Sequence, residues 1–251
     1  KFIFCNCGRK YGKSEVLIYG ISRWSLTHPN SACYYIAPFQ KQAKELIWAN
    51  NRLQNFLDSS IRNKYIEGIN NSEMRITFKN GSFIKLDGAD NYEAYRGINP
   101  HFIAYDEFKD HHPQFHIGME PNLAPNNAPC FIIGTPPEND DNHFWRIADS
   151  LVDDPDGAYF NMPSHTNPHI SKEWLEKTRL RLIKRGEEDV WLREYMAQRV
   201  YGGRKSIFPM YDSEKMTVSY KYALDLISRN RKKWKLYCTA DPATASTFAV
   251  L

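Results

Sequence analysis

Cys7-Gly8-Arg9-Lys10-Tyr11-Gly12-Lys13-Ser14 constrains this 251-residue chain more than any other stretch. It follows an apolar run, Phe2-Ile3-Phe4-Cys5, that reads as a strand. It opens an amphipathic segment, Ser14 to about Leu26, that reads as a helix. A strand that gives way to a glycine-containing turn and then to a helix is the setting of a P-loop. Successive N–H groups of such a turn point inward and make an anion-binding concavity, and the dipole of the helix adds to it. On this reading residues Cys7 to Ser14 wrap the phosphates of ATP, Lys13 neutralises the β- and γ-phosphates, and the Ser14 hydroxyl binds Mg²⁺. The pattern departs from G-x-x-x-x-G-K-[ST] at its first position: Cys7 stands there, and the glycine comes one place later. Taken alone, the stretch also admits a plain strand-to-helix turn.

A second stretch narrows the choice. Phe102-Ile103-Ala104-Tyr105 is an apolar strand that ends in Asp106-Glu107. In a P-loop site such a pair would supply Asp106 to hold Mg²⁺, directly or through water, and Glu107 to orient and deprotonate the attacking water. Without the loop, the two acids could equally cap a helix start. Pro129-Cys130-Phe131-Ile132-Ile133-Gly134 is a further apolar strand, and it delivers Thr135 at its carboxyl end, where ligands collect in open α/β sheets. Thr135 could sense the γ-phosphate or could be an ordinary turn residue.

The remaining pattern is α/β. Ala32–Ala37 is a nearly continuous apolar strand stopped by Pro38, and Gln40 to about Leu57 has helical spacing, with Ala43, Leu46, Ile47, Asn50, Leu53 and Leu57 on one side. Alternating runs on either side of Asn80-Gly81 predict a β-hairpin inserted at the edge of the core. Helices are expected near 142–150, from Ser171 to Arg185 and from Glu187 to Gln198, with a last core strand at 158–161. These elements divide the chain into an ATPase core at 1–169, a helical subdomain at 170–200, a linker at 201–234 and the start of a new strand-led domain at 235–251. Both ends of the sequence read as strand interiors, so the chain is expected to be a piece of a longer protein.

Composition excludes several classes. Hydrophobic residues make up 42 % and aromatics 14 %, enough for a large core and too many for a disordered chain. No apolar run approaches the ~20 residues of a membrane span, and no signal peptide is visible. The five cysteines have no C-x-x-C spacing, which argues against zinc or a disulfide framework and for a reducing compartment. The net charge of +4 is uneven: residues 170–235 carry 17 Lys and Arg against 9 Asp and Glu, and the rest carries 16 against 20. The basic third suits a polyanionic partner or a solvated helical surface.

In order and spacing these motifs resemble the large terminase subunit of tailed bacteriophages, the ATPase of the DNA-packaging motor. The residues that carry the resemblance are Gly8–Ser14, Ala37-Pro38…Gln42-Ala43, Tyr95-Arg96-Gly97 and Tyr105-Asp106-Glu107. Gly134-Thr135-Pro136, Asn167-Pro168…Glu194-Tyr195 and Thr239-Ala240-Asp241-Pro242 follow. The resemblance implies a RecA-like P-loop NTPase fold: a mainly parallel central sheet flanked by helices, with the strand ending at Thr135 between the loop strand and the Asp106 strand. It makes Thr135 a coupling residue and the 170–200 helices a lid. Arg9 matches a P-loop arginine common in the family, and Arg96 an arginine that reaches a neighbouring subunit's nucleotide. Asp241 matches the first metal-binding acid of an RNase H-like nuclease domain. Such a nuclease needs further carboxylates around its metals, so the chain as it stands is not expected to cut DNA. The segment that contacts adenine in the family lies upstream of its first strand and is missing here.

The resemblance further implies ATP and Mg²⁺ as cofactors. Its partners would be double-stranded DNA, the portal of a procapsid, a small terminase subunit and, in a pentameric ring on the capsid, further copies of the chain; no membrane is involved. The place of action would be the cytoplasm of the bacterial host. Two other functions fit parts of the pattern. A nucleic-acid helicase shares the ATPase core but needs a second RecA-like domain. A non-catalytic DNA-binding scaffold with a vestigial nucleotide site would have no use for intact Lys13, Ser14, Asp106 and Glu107.

Overall fold

Apolar runs without polar alternation need cover on both faces, and the fold supplies it. The computed structural model describes residues 1–57, 63–90, 95, 97–200 and 219–230. The chain divides into two units, Lys1–Gly203 and Arg204–Leu251.

The first unit is built on one eight-stranded sheet. Its elements run β1 (Phe2–Cys7), α1 (Lys13–Thr27), β2 (Ala32–Ala37), α2 (Gln40–Gln42), a π-helix (Ala43–Trp48) and α3 (Arg52–Phe56). Then come β3 (Ile66–Asn70), β4 (Arg75–Phe78), β5 (Phe83–Gly88), β6 (Phe102–Tyr105), α4 (Pro113–Leu123) and β7 (Cys130–Gly134). The last are α5 (His143–Ser150), β8 (Gly157–Met162), α6 (Lys172–Lys184) and α7 (Glu188–Glu194). The strand order is β3-β4-β5-β2-β6-β7-β1-β8. From β5 to β8 every pairing is parallel, and only β3-β4-β5 is antiparallel. As the resemblance implies, β7 lies between β1 and β6.

Alternation along the strands divides the interior into two cores. On one face Cys5 and Cys33 pack with Leu17, Ile18 and Ile21 of α1, spaced as one helical stripe. On the other, Phe4, Tyr105 and Ile132 meet Phe115 of α4 and Phe144 of α5. Burying an aliphatic side chain of this size contributes about 1.5–3 kcal/mol, so the stripe on α1 alone fixes that helix against the sheet. A separate small cluster, Leu175, Leu182 and Trp191, joins α6 to α7.

Three segments depart from the sequence reading. The helix expected over Gln40–Leu57 is interrupted: a π-turn, in which the Ala49 N–H donates to Lys44 O at 2.7 Å, precedes Asn51 in the left-handed region at φ 53°. The added residue in the turn carries Ile47 and Trp48 into the core and leaves Leu46, expected on the buried side, exposed. The hairpin at Asn80-Gly81 forms, with Gly81 at φ 82°, but its second strand pairs in parallel with β2 along its whole length and so extends the main sheet. The third departure lies in the second unit, where a helix, α8 (Tyr220–Asn230), occupies part of the segment read as a linker. The start of the expected nuclease domain, 235–251, lies outside the described residues.

Candidate active site

β1 ends in Cys7, fully buried, and the chain turns through Gly8–Gly12 into α1. The turn is pinned at its start: Gly8 N donates to Met162 O at 2.9 Å and Arg9 N to Glu194 O at 2.7 Å. A Cβ on Gly8 would stand 2.6 Å from Tyr195 O and 2.7 Å from Ser164 N, so no other residue fits. This close approach accounts for the displaced glycine of the motif. The backbone is crowded at position 8, and position 7 is an ordinary strand residue. Gly12 caps α1 at φ 91°, a conformation that costs glycine little. α1 begins with no side-chain cap, whereas α4, α5 and α6 have theirs from His112, Asn142 and Ser171. The first N–H groups of α1 are thus left for an anion.

The carboxyl ends of β6 and β7 bring three predicted residues to this helix start. Lys13 Nζ donates to Thr135 Oγ1 at 3.0 Å and lies 3.4 Å from Glu107 Oε1. Ser14 Oγ donates to Asp106 Oδ2 at 2.7 Å. Asp106 and Thr135 are buried, and Glu107 is partly open to solvent. Glu107 holds φ 48° and ψ 50°, the left-handed region that non-glycine residues seldom occupy and that recurs at functional sites.

Asp106 is held from further sides. The Tyr35 hydroxyl donates to Oδ2, the Glu107 N–H to Oδ1 at 3.0 Å, and His111 Nε2 to the main-chain oxygen at 2.7 Å. Burial first, with Asp106 beside it, raises Tyr35 well above the ordinary tyrosine range, so its hydroxyl stays a donor. Burial lowers His111 to about 3, against the hydrogen bond it makes, which keeps the ring neutral. Neither residue stands out in the sequence. Tyr35 is two positions from the end of β2, beside β6, and that register is the signal that finds it.

The rim of the cleft belongs to α7. Arg9 Nε pairs with Glu194 Oε2 at 2.5 Å, and Lys109 Nζ and Arg193 Nε approach Glu194 Oε1 at 3.6 and 3.8 Å. Burial works to raise the Glu194 carboxyl, but Lys109, Arg9 and Arg193 together outweigh it and hold it below the usual carboxylate range. Ser164 Oγ donates to Arg9 O at 2.7 Å and Asn167 Nδ2 to Lys10 O at 3.0 Å, tying the turn to the chain that leads into α6. Arg96 and Asp241, the remaining predicted site residues, lie outside the described residues.

Arg9, Lys13, Ser14, Glu107, Thr135 and Glu194 line a cleft of about 530 Å³, within the range of small-molecule sites. A phosphate chain fits the uncapped helix start and Lys13. A hard divalent cation fits Ser14 Oγ and Asp106 Oδ2, since Mg²⁺ takes one or two protein oxygens and fills the rest of its shell with phosphate and water. Among the described residues no group of three or more His, Cys, Asp or Glu could hold a metal by itself.

A mostly parallel sheet with the cleft at the carboxyl ends of β1, β7 and β6, and the Thr135 strand between the other two, defines a RecA-like α/β fold. The same fold occurs in the ATPase domain of the large terminase of Thermus phage P74-26, with a TM-score of 0.61 and 20 % identity over 79 % of this chain and 88 % of that one. The large terminase of a thermophilic bacteriophage, in complex with ADP, gives a TM-score of 0.67 at 15 % identity, over 96 % of this chain and 57 % of the other. The HK97 bacteriophage large terminase gives 0.62 at 17 % identity, over 79 % and 46 %. The chain therefore spans most of the first, an ATPase domain, and about half the length of the other two. No family model and no curated protein matches it.

Proposed function

We propose that this chain is the ATPase part of a large terminase, hydrolysing ATP to drive double-stranded viral DNA into a procapsid. The observation that carries the reading is the convergence of Lys13, Ser14, Asp106, Glu107 and Thr135 at an uncapped helix start. The RecA-like fold shared with terminase ATPase domains supports it.

In this reading Lys13 and the amides of Lys10–Ser14 hold the phosphates; contrary to the expectation for the whole stretch, the amides of Gly8 and Arg9 are bonded to Met162 and Glu194, and Cys7 belongs to β1. Ser14 and Asp106 would hold Mg²⁺, which when bound would offset the negative charge of the phosphates. Lys13 contacts Glu107 and Thr135 in the structure; as it moves onto the phosphates it frees the Glu107 carboxylate to take a proton from water. Thr135, on the strand between, senses the γ-phosphate. Arg96 stabilises transition-state charge on a neighbouring copy, and Arg9 is the second candidate for that work. Such a finger can supply ~10³–10⁵ in rate. Residues 170–200 act as a lid, 201–234 as a linker, and Asp241 belongs to an RNase H-like nuclease.

The proposed partners are DNA, gripped through its phosphates by the basic third of the chain, the portal of the procapsid, a small terminase subunit, and further copies in a ring. Phosphate contacts make the DNA affinity fall with salt. Among the described residues no helix is long and apolar enough to cross a membrane; the proposed place of action is the host cytoplasm. The test is ATP turnover by the chain alone, with duplex DNA, and with DNA and procapsids together. Turnover that rises in that order is expected; nucleotide binding without turnover under any condition would leave the scaffold function standing, and strand separation would favour a helicase.

A further inference from the structure

We infer that Arg52 is a phosphate-binding residue that distinguishes a nucleoside triphosphate from a diphosphate, held by Glu15 until a third phosphate arrives. This rests on the ATPase reading above and deepens it.

Arg52 opens α3 immediately after the π-turn and the left-handed Asn51. π-turns recur at functional sites because they set a side chain out of helical register. Here the irregularity brings Arg52 to the first turn of α1, where it lines the same cleft as Lys13, Ser14 and Thr135. It comes from a different element than Arg9 and Lys109, so the cleft draws its cations from three independent segments. The Glu15 that holds Arg52 follows Ser14, whose hydroxyl bonds Asp106, which puts Arg52 toward the Asp106 end of the site. That is the end where Ser14 and Asp106 would hold Mg²⁺, whose charge would offset that of the terminal phosphates.

Its partner suits an exchange. Nε and Nη2 both donate to a single oxygen of Glu15, at 3.1 and 2.6 Å, which leaves the fork of the guanidinium unmatched. The side chains are 33 % and 57 % exposed, so water screens the pair and it contributes little. A terminal phosphate offers more charge and several oxygens in a more enclosed place, and the planar fork of arginine suits it better than a point charge would. Glu15 follows Ser14 directly, so it competes for Arg52 from the first turn of α1, beside the cleft.

The experiment is a binding titration of Mg-ADP and of Mg-ATPγS, a slowly hydrolysed triphosphate, against the wild-type chain, Arg52→Gln, Arg52→Lys, Glu15→Gln and the Arg52→Gln/Glu15→Gln pair. Arg52→Gln should weaken ATPγS by about tenfold or more, the worth of a charge-assisted hydrogen bond, and leave ADP within about twofold. Arg52→Lys should fall between. Glu15→Gln should tighten ATPγS in the wild-type background and lose that effect in the Arg52→Gln background, because contacting residues couple. The unchanged ADP affinity doubles as the check on folding. Equal losses for both nucleotides, no loss at all, or a Glu15→Gln effect undiminished without Arg52 would overturn the assignment while leaving the ATPase reading intact. A wild-type chain that binds neither nucleotide would overturn both.

Discussion

The cleft has a floor and a rim, and the two are built on different physics. The floor is the set of strand ends: Asp106 and Thr135 are buried, Lys13 is nearly so, and each has its polar contacts supplied by neighbouring parallel strands or by α1. The rim is made of long side chains that reach in from helices and turns. Arg9 is 58 % exposed on Glu194, and Arg52 is paired to Glu15 in partial contact with solvent. Floor contacts act at low effective dielectric, where a removed partner leaves a buried group unsatisfied at full cost. Exposed rim pairs are screened and exchangeable. The floor is therefore suited to fixed chemistry and the rim to reporting what occupies the cleft.

The comparison breaks first at Glu107. In the proposed role Glu107→Gln keeps the shape of the floor and removes its base, so turnover should fall by about 10²–10⁴-fold with nucleotide affinity retained. Loss of binding instead would make Glu107 a structural residue. Lys13→Ala should come next. It deletes the charge facing the phosphates and leaves Thr135 and Glu107 without their partner, so binding and turnover should fall together, turnover by about 10²–10³-fold. Unchanged hydrolysis would remove the loop from the site.

Tyr35→Phe tests whether the floor is preorganised. The substitution leaves the ring of a fully buried residue in place and removes only the hydroxyl on Asp106. A hydrogen bond to a charged group is worth about 1.5–3 kcal/mol, so the apparent Mg²⁺ affinity measured at fixed nucleotide should weaken by about tenfold or more. Binding of nucleotide without metal should hold. A variant that loses stability but keeps its Mg²⁺ dependence would make Tyr35 a packing residue alone.

What is legible in the sequence follows the same division. The floor can be read because strands covered on both faces have unbroken apolar runs, and the polar residues that end those runs are the ones that face a ligand. Asp106, Glu107 and Thr135 stand out for that reason. Tyr35 does not, because inside an apolar strand a tyrosine looks like core until the neighbouring strand is known. The rim is hidden for a different reason. Glu194 meets Arg9 across 185 positions of sequence, and Arg52 reaches Glu15 only because a π-turn breaks the helical spacing on which the reading of 40–57 relies. α4 escapes the sequence reading because Pro121 interrupts its pattern and its buried side, Phe115, His116 and Met119, is mixed in character.

The smallest expected effect is at the rim, and its pH dependence sets it apart from the floor. Glu194 sits among Arg9, Lys109 and Arg193, and its carboxyl is held below the ordinary carboxylate range. A carboxylate depressed in the folded state contributes stability that is fully present above its unfolded value, near 4.3, and is lost as pH falls through the lower folded value. Glu194 is itself buried, but Glu194→Gln keeps an acceptor for Arg9, and Arg9 is more than half exposed, so at neutral pH the loss of charge should cost about 1 kcal/mol. Denaturant unfolding of wild type and variant should differ by a constant amount from neutral pH down to the ordinary carboxylate range, and the two curves should converge below it. A gap that persisted into strong acid would mean that Glu194 acts through packing and not through charge. The rim would then be as fixed as the floor, and the contrast between them would fail.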